Sequence, residues 1–196
     1  ISIDYIHVLD KPTASLSYNI LGNCETNNLI DFTNTSLGLS SNIWDFGNGD
    51  TSNLINPNYS YPESGNFPVT LVVYNNLGCS DDTVIGPIVI NPNPVLNAFV
   101  DSNLICDSSY NFTFSASSSN SIISNWEWFF GDGINSSSSI SNIQYSYNST
   151  GIFTPKVVAT NTNGCVDSII LNTININPKE NYSFSSDIQS GCPPLD

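Results

Sequence analysis

Basic side chains are almost missing. The 196-residue chain has no arginine, three lysines (Lys11, Lys156, Lys179) and one histidine (His7), against 17 acidic residues, for a formal net charge of −14. A nucleic-acid backbone is gripped by a Lys/Arg footprint, so nucleic acid is excluded as a partner. Anionic membrane surfaces are excluded on the same ground. No apolar run approaches the ~18 residues of a membrane-crossing helix, so no direct membrane insertion is expected. Charged residues of both signs reach only 10 %, while 39 % are hydrophobic and 11 % aromatic. Ser and Asn supply the polarity. Aromatics at that level, spread through short alternating runs, argue against disorder. Methionine is absent, and the chain opens on Ile1-Ser2-Ile3 without an initiator residue or a basic-then-apolar leader. A fragment or a processed piece is therefore expected.

What is present is a repeat. Trp44-Asp45-Phe46-Gly47-Asn48-Gly49 returns as Trp128-Phe129-Phe130-Gly131-Asp132-Gly133. Tyr59-Ser60-Tyr61 returns as Tyr145-Ser146-Tyr147, and Gly65-Asn66-Phe67 as Gly151-Ile152-Phe153. Asn75, Gly78, Cys79 and Asp81 return as Asn161, Gly164, Cys165 and Asp167, an offset of 86 residues. Cys24 matches Cys106, and Cys192 follows Cys106 at the same 86. The expected division is 1–11 as the last strand of a preceding repeat, 12–93 and 94–179 as repeats, and 180–196 as the start of another.

Each repeat reads as all-β. Alternating runs rich in β-branched and aromatic residues, bounded by Gly, Asn, Pro and Ser, predict strands near 14–18, 29–33, 42–46, 58–61, 66–75 and 83–91. The second repeat gives 96–100, 111–116, 124–130, 143–147, 152–161 and 168–177. Six or seven short strands in this length suit an immunoglobulin-like sandwich of two antiparallel sheets. Trp44 and Trp128 fall where such a sandwich wants its large core residue.

The run Trp44-Asp45-Phe46-Gly47-Asn48-Gly49, then Tyr59-Ser60-Tyr61, Gly65-Asn66-Phe67-Pro68-Val69-Thr70-Leu71 and Asn75-Asn76-Leu77-Gly78-Cys79, resembles the polycystic-kidney-disease (PKD) repeat. Asn48 stands where that pattern has Asp, and Tyr59 and Tyr145 stand where it has His. The variant with a cysteine at each end is similar to arrays in Bacteroidota cell-surface proteins, among them gliding-motility adhesins and type IX secretion cargo. The resemblance implies a non-enzymatic, extracellular stalk of a large surface adhesin or filament, serving attachment or gliding. Its partners would be neighbouring repeats, with polysaccharide or substratum as further candidates. Two alternatives are a polymer-binding accessory module of a secreted hydrolase and a self-assembling fibre or sheath.

The cysteines follow the repeat. The simplest pairing is Cys24–Cys79 and Cys106–Cys165, one disulfide per repeat, with Cys192 pairing beyond residue 196. No C-x-x-C occurs and histidine is nearly absent, so zinc is a poor alternative. Disulfides imply export to an oxidising, extracellular setting, and the resemblance places the chain at the cell surface.

Other sites are sparse. His7 is the only imidazole and has no nucleophile-elbow motif around it, so no catalysis is expected. Asp45, Asn48 and Asp50, with Glu127 and Asp132 near the second turn, offer oxygen ligands for calcium, although Asp and Asn also form turns by themselves. No other cofactor is implied. Asp82-Thr83-Val84 and Asp167-Ser168-Ile169 fit the Asp-Ser/Thr-aliphatic O-glycosylation pattern of Bacteroidota, making Thr83 and Ser168 candidates for a glycoprotein. Trp126, with Asn42 at its place in the first repeat, reads as an extension of the core or an interdomain contact, and is also a candidate sugar-stacking platform for ligand binding.

Overall fold

Alternation of apolar and polar side chains sets both layers of each repeat. The computed structural model describes residues 10–101 and 110–178, in which every helix-or-strand element is a strand. The first repeat contains β1 (Leu16–Cys24), β2 (Asn27–Asn34), β3 (Ser41–Asp45), β4 (Thr51–Ser52), β5 (Asn58–Tyr59), β6 (Gly65–Tyr74) and β7 (Ser80–Ile90). They form two antiparallel sheets, ordered β1-β2-β5 and β4-β3-β6-β7. The second repeat contains β8 (Leu96–Asp101), β9 (Tyr110–Ser118), β10 (Ile123–Phe129), β11 (Asn135–Ser138) and β12 (Asn142–Tyr147). It continues with β13 (Gly151–Phe153), β14 (Lys156–Asn161), β15 (Val166–Ile170) and β16 (Ile174–Ile176). Its sheets are β12-β9-β8 and β11-β10-β14-β15, with β13 and β16 paired separately.

Every second residue turns inward. Ile30 and Phe32 of β2 meet Trp44 of β3 and Val69, Leu71 and Val73 of β6 across the first core. Phe114, Trp126, Trp128, Val157 and Ala159 do the same in the second. Trp44 and Trp128 are completely buried at the centres. Each such side chain contributes roughly 1.5–3 kcal/mol on burial, enough in number to hold a domain of this size. The result is two immunoglobulin-like sandwiches in tandem, in agreement with the strand pattern.

Two departures from the sequence reading have local causes. The long strands expected at 152–161 and 168–177 are each divided, into β13 and β14 and into β15 and β16. Pro155 sits at the break and has no N–H for the ladder, while its carbonyl accepts the Leu171 N–H at 2.9 Å. In the first repeat the same strand stays continuous through Pro68, at a register shift between Phe67 and Val69. Second, β1 does not stop near residue 18. It passes a bulge between Ile20 and Gly22 and runs on to Cys24, paired along β2 throughout.

That extension overturns the expected disulfides. β1 delivers Cys24 to the end of the sandwich where β7 finishes, beside Asn91. Cys79 lies in the β6–β7 turn at the opposite end, ten residues of β6 away, or about 30 Å. The two cannot meet. Cys24 is instead bonded to Cys165, across the boundary between repeats. Cys79 is free and exposed, and Cys165 is not available to Cys106. The bridge is therefore shared between repeats and does not close within one. Cys106, Cys192, His7, residues 1–9 of the expected end piece 1–11, and the expected end piece 180–196 lie outside the described residues.

Candidate functional site

The region where the repeats meet is built from asparagine. Asn91, just past β7, donates its N–H to Asn23 O at 2.7 Å, and its carbonyl accepts the Glu25 N–H at 2.9 Å. The chain leaving the first repeat is thereby zipped onto the end of β1. Asn93 Nδ2 donates to Thr26 Oγ1 at 2.6 Å. From the other side, Asn120 Nδ2 donates to Asn93 O at 2.8 Å, and Asn120 Oδ1 accepts the Val95 N–H at 2.8 Å. Asn161 Nδ2 donates to Pro92 O at 3.2 Å. The Asn91-Pro92-Asn93-Pro94 linker is thus bonded to both neighbours, and the Cys24–Cys165 bridge closes the joint covalently. Pro92 and Pro94 restrict the backbone between those contacts.

Asn161 organises the cysteine loop. Its side-chain oxygen accepts the N–H groups of Asn163 at 3.0 Å and Cys165 at 2.9 Å. Its own N–H bonds Cys165 O at 2.9 Å, and its carbonyl accepts the Gly164 N–H at 3.0 Å. One short polar side chain thus satisfies a whole turn, and Gly164 supplies the positive φ of 82° at its corner. Asn161 is 2 % exposed and Cys165 fully buried. The sequence carried this signal as the recurring Asn-x-x-Gly-Cys, but the asparagine was not singled out as the organiser.

At the far end of the first repeat the N-terminal segment is held in a related way. Asn75 Nδ2 donates to Asp10 O at 3.2 Å. Asp81 Oδ2 accepts the Ala14 N–H at 2.8 Å and Oδ1 pairs with Lys11 Nζ at 2.5 Å. The Ala14 N–H, and then Lys11, hold the Asp81 carboxyl below the usual carboxylate range.

The Trp-x-Phe-Gly turn and the Tyr-Ser-Tyr motif form one unit. In the first repeat Phe46 stacks on Tyr59 with centroids 4.0 Å apart, and Tyr61 stacks on Phe67 at 4.1 Å. The Tyr61 hydroxyl donates to Phe46 O at 3.0 Å, and the Tyr59 hydroxyl donates to Asp50 Oδ2. In the second, Phe130 stacks on Tyr145 at 3.6 Å, and the Tyr145 hydroxyl donates to Asp132 Oδ2 at 2.5 Å. Burial, then that bond to a carboxylate, pushes the Tyr145 hydroxyl up to about 12. Gly47 is fixed by close approach: φ is +79°, and a Cβ there would lie 2.2 Å from Pro68 O.

These contacts use the oxygens considered for calcium. Asp45 Oδ1 accepts the Gly47 N–H at 2.8 Å and Asn48 Oδ1 the Asp50 N–H at 3.2 Å. Asp132 Oδ1 accepts the Ile134 N–H at 3.0 Å. Glu127 lies on the face of β10 opposite Trp126 and Trp128. Among the described residues no three His, Cys, Asp or Glu gather as a metal site.

Trp126 takes the core place that the sequence also allows. It is 4 % exposed and packed into the second core, at the floor of an open groove of about 660 Å³ also lined by Ala116, Ser118, Ile123, Ile140 and Asn142. At that exposure it offers little surface on which a sugar could stack. Thr83 and Ser168 differ in surroundings: Thr83 is half-buried in β7 opposite Leu71, whereas Ser168 is exposed on β15. No helix among the described residues is long and apolar enough to cross a membrane.

Tandem antiparallel sandwiches with a shared Trp-x-Phe-Gly turn, Tyr-x-Tyr lock and Asn-x-x-Gly corner define a class of repeated β-sandwich modules. The chain belongs to the PKD domain family, whose model matches residues 11–89 and again 91–176. It is 46 % identical over 52 residues to the pre-pro-metalloprotease PrtV of Vibrio cholerae, a match covering 24 % of this chain and 6 % of that protein. The chain thus spans only a small part of that relative's length. Among solved structures, the PKD1 domain of V. cholerae PrtV is 32 % identical, covers 42 % of this chain and 99 % of its own, and has a TM-score of 0.37. The PKD1 domain of Vibrio anguillarum Epp is 30 % identical with the same 42 % coverage, 98 % of its own chain and TM-score 0.37.

Proposed function

We propose that this chain is an extracellular, non-enzymatic spacer, a stiff segment of a bacterial surface adhesin or filament that sets reach. The observation that carries the reading is the joint. A linker hydrogen-bonded to both repeats and bridged by Cys24–Cys165 turns two beads into one segment that resists bending. A spacer needs that property, whereas a polymer-binding module needs an exposed aromatic row, and the tryptophans described above are buried in the cores. The acidic, lysine-poor composition keeps such a rod soluble.

Antibody raised against the chain, applied to live unpermeabilised source cells with the culture supernatant blotted in parallel, tests this. Cell-attached signal on a very large polypeptide supports the spacer. Signal only in the supernatant, on a protein of ordinary enzyme size, refutes it and favours the accessory module of a secreted hydrolase.

A further inference from the structure

Cys79 and Cys165 occupy the same loop in two states of coverage. Asn75 Oδ1 accepts the N–H groups of Leu77 and Cys79, both at 3.0 Å, as Asn161 Oδ1 accepts those of Asn163 and Cys165 at 3.0 and 2.9 Å. Gly78 and Gly164 have φ of 84° and 82°. Asn75 Nδ2 holds Asp10 O at 3.2 Å, as Asn161 Nδ2 holds Pro92 O at 3.2 Å. The backbone approaching the first repeat thus passes its cysteine loop on the hydrogen bond that the inter-repeat linker uses at the second. The difference is the partner. Cys165 is buried and bonded to Cys24, while Cys79 is exposed and free.

We propose that Cys79 is the receiving half of a second staple, and that its partner is a Cys24-type cysteine at the trailing end of another PKD repeat. The rule is general for the array: the first cysteine of one repeat bonds the second cysteine of the next. The bond forms by exchange with a small or protein disulfide. The two repeat sulfurs join, the oxidant's S–S bond breaks and takes both electrons, and the two thiol protons leave with it as two free thiols. The proposal rests on the exported-spacer reading for its oxidising compartment.

The test uses the protein as its source cells make it. Thiols are blocked with N-ethylmaleimide at harvest, the protein is digested without reduction, and disulfide-linked peptides are identified by mass spectrometry. The expected result is Cys24 joined to Cys165, and Cys79 joined to a cysteine at the Cys24-equivalent position of another repeat. Cys79 recovered as the maleimide adduct while Cys24–Cys165 is intact overturns the ladder and leaves the compartment standing. Both bonds absent overturns the ladder and the exported reading together. A Cys79→Ser variant checks the same point independently. With Cys24–Cys165 retained as proof of folding, the partner peptide gains one maleimide. An unchanged maleimide count overturns the proposal.

Discussion

Pulling the chain by its two ends should reveal the staple directly. Force entering at the N-terminus reaches Cys24, crosses the disulfide and leaves through Cys165. Residues 25–164 lie inside that loop and bear no load. At ~3.5 Å per extended residue they represent about 50 nm of hidden contour. In single-molecule force spectroscopy, an oxidised molecule should release only the segments outside the bridge, chiefly β1 at one end and β15 with β16 at the other. That is under about 10 nm in all. With reductant present, the same molecule should show two unfolding steps of roughly 25 nm, one for each repeat of some 80 residues. Oxidised molecules that still give two steps of about 25 nm would refute the shared bridge.

The stability counterpart is read in trans: Cys165→Ser should destabilise the first repeat, whose sequence it leaves untouched. With the second repeat folded, the bridge closes about 70 residues of the first, worth at most about 4 kcal/mol on the chain-entropy model. Calorimetry showing an unchanged first-repeat transition would exclude this, and a drop caused instead by Cys79→Ser would restore pairing within the repeat. Gly47→Ala should cost more than about 2 kcal/mol, because strain at positive φ adds to overlap with Pro68 O, whereas Gly49→Ala meets nothing nearby and should cost about 1 kcal/mol. Urea midpoints of the two variants decide it, and equal losses would contradict the close-approach argument. Alkali should unfold the second repeat partly through Tyr145. Its folded-state value lies above the ordinary 10, so its contribution is complete below pH 10 and is lost as the pH climbs through about 12. Tyr145→Phe should flatten that decline in a pH series of denaturation midpoints, and an unaltered slope would count against it.

Much of this was legible because it is local. The period-2 alternation through Ile30 and Phe32, or Val69, Leu71 and Val73, names the inward face without any tertiary knowledge. Trp44 and Trp128 were legible from their place in a recurring turn. Trp126 has no counterpart in the first repeat, so the sequence leaves a sugar platform, an interdomain contact and an extended core open, and the structure uses it to widen one core. The cysteine pairing was misread. Sequence spacing reports which cysteines belong to one repeat but not the end of the sandwich each occupies. That depended on β1 running past a bulge at Ile20 and Gly22. Asp and Asn have two uses, since every Asp–Asn turn is also a set of oxygens, and the hydrogen bonds of Asp45, Asn48 and Asp132 show the turn use.

The placement of the cysteines also constrains how the joint can be made. In an unfolded chain, Cys24 and Cys79 close a shorter loop than Cys24 and Cys165, whose separation is 141 residues. The shorter closure is favoured by (3/2)RT ln of the length ratio, roughly 0.8 kcal/mol. Unguided oxidation would therefore prefer the wrong bond. Folding reverses the preference, since β6 holds Cys79 about 30 Å from the Cys24 end. The same fold, through Asn161 and the Asn91-to-Pro94 linker, sets Cys165 beside Cys24 with their Cα atoms 5.4 Å apart. Each repeat must thus fold before its sulfurs are oxidised, and the joint must dock before it is sealed. Non-covalent contacts in the linker specify the staple, and the staple then fixes the contacts. A chain exported reduced and oxidised after folding meets that order. One oxidised while unfolded would be locked into pairings that the finished sandwich cannot contain.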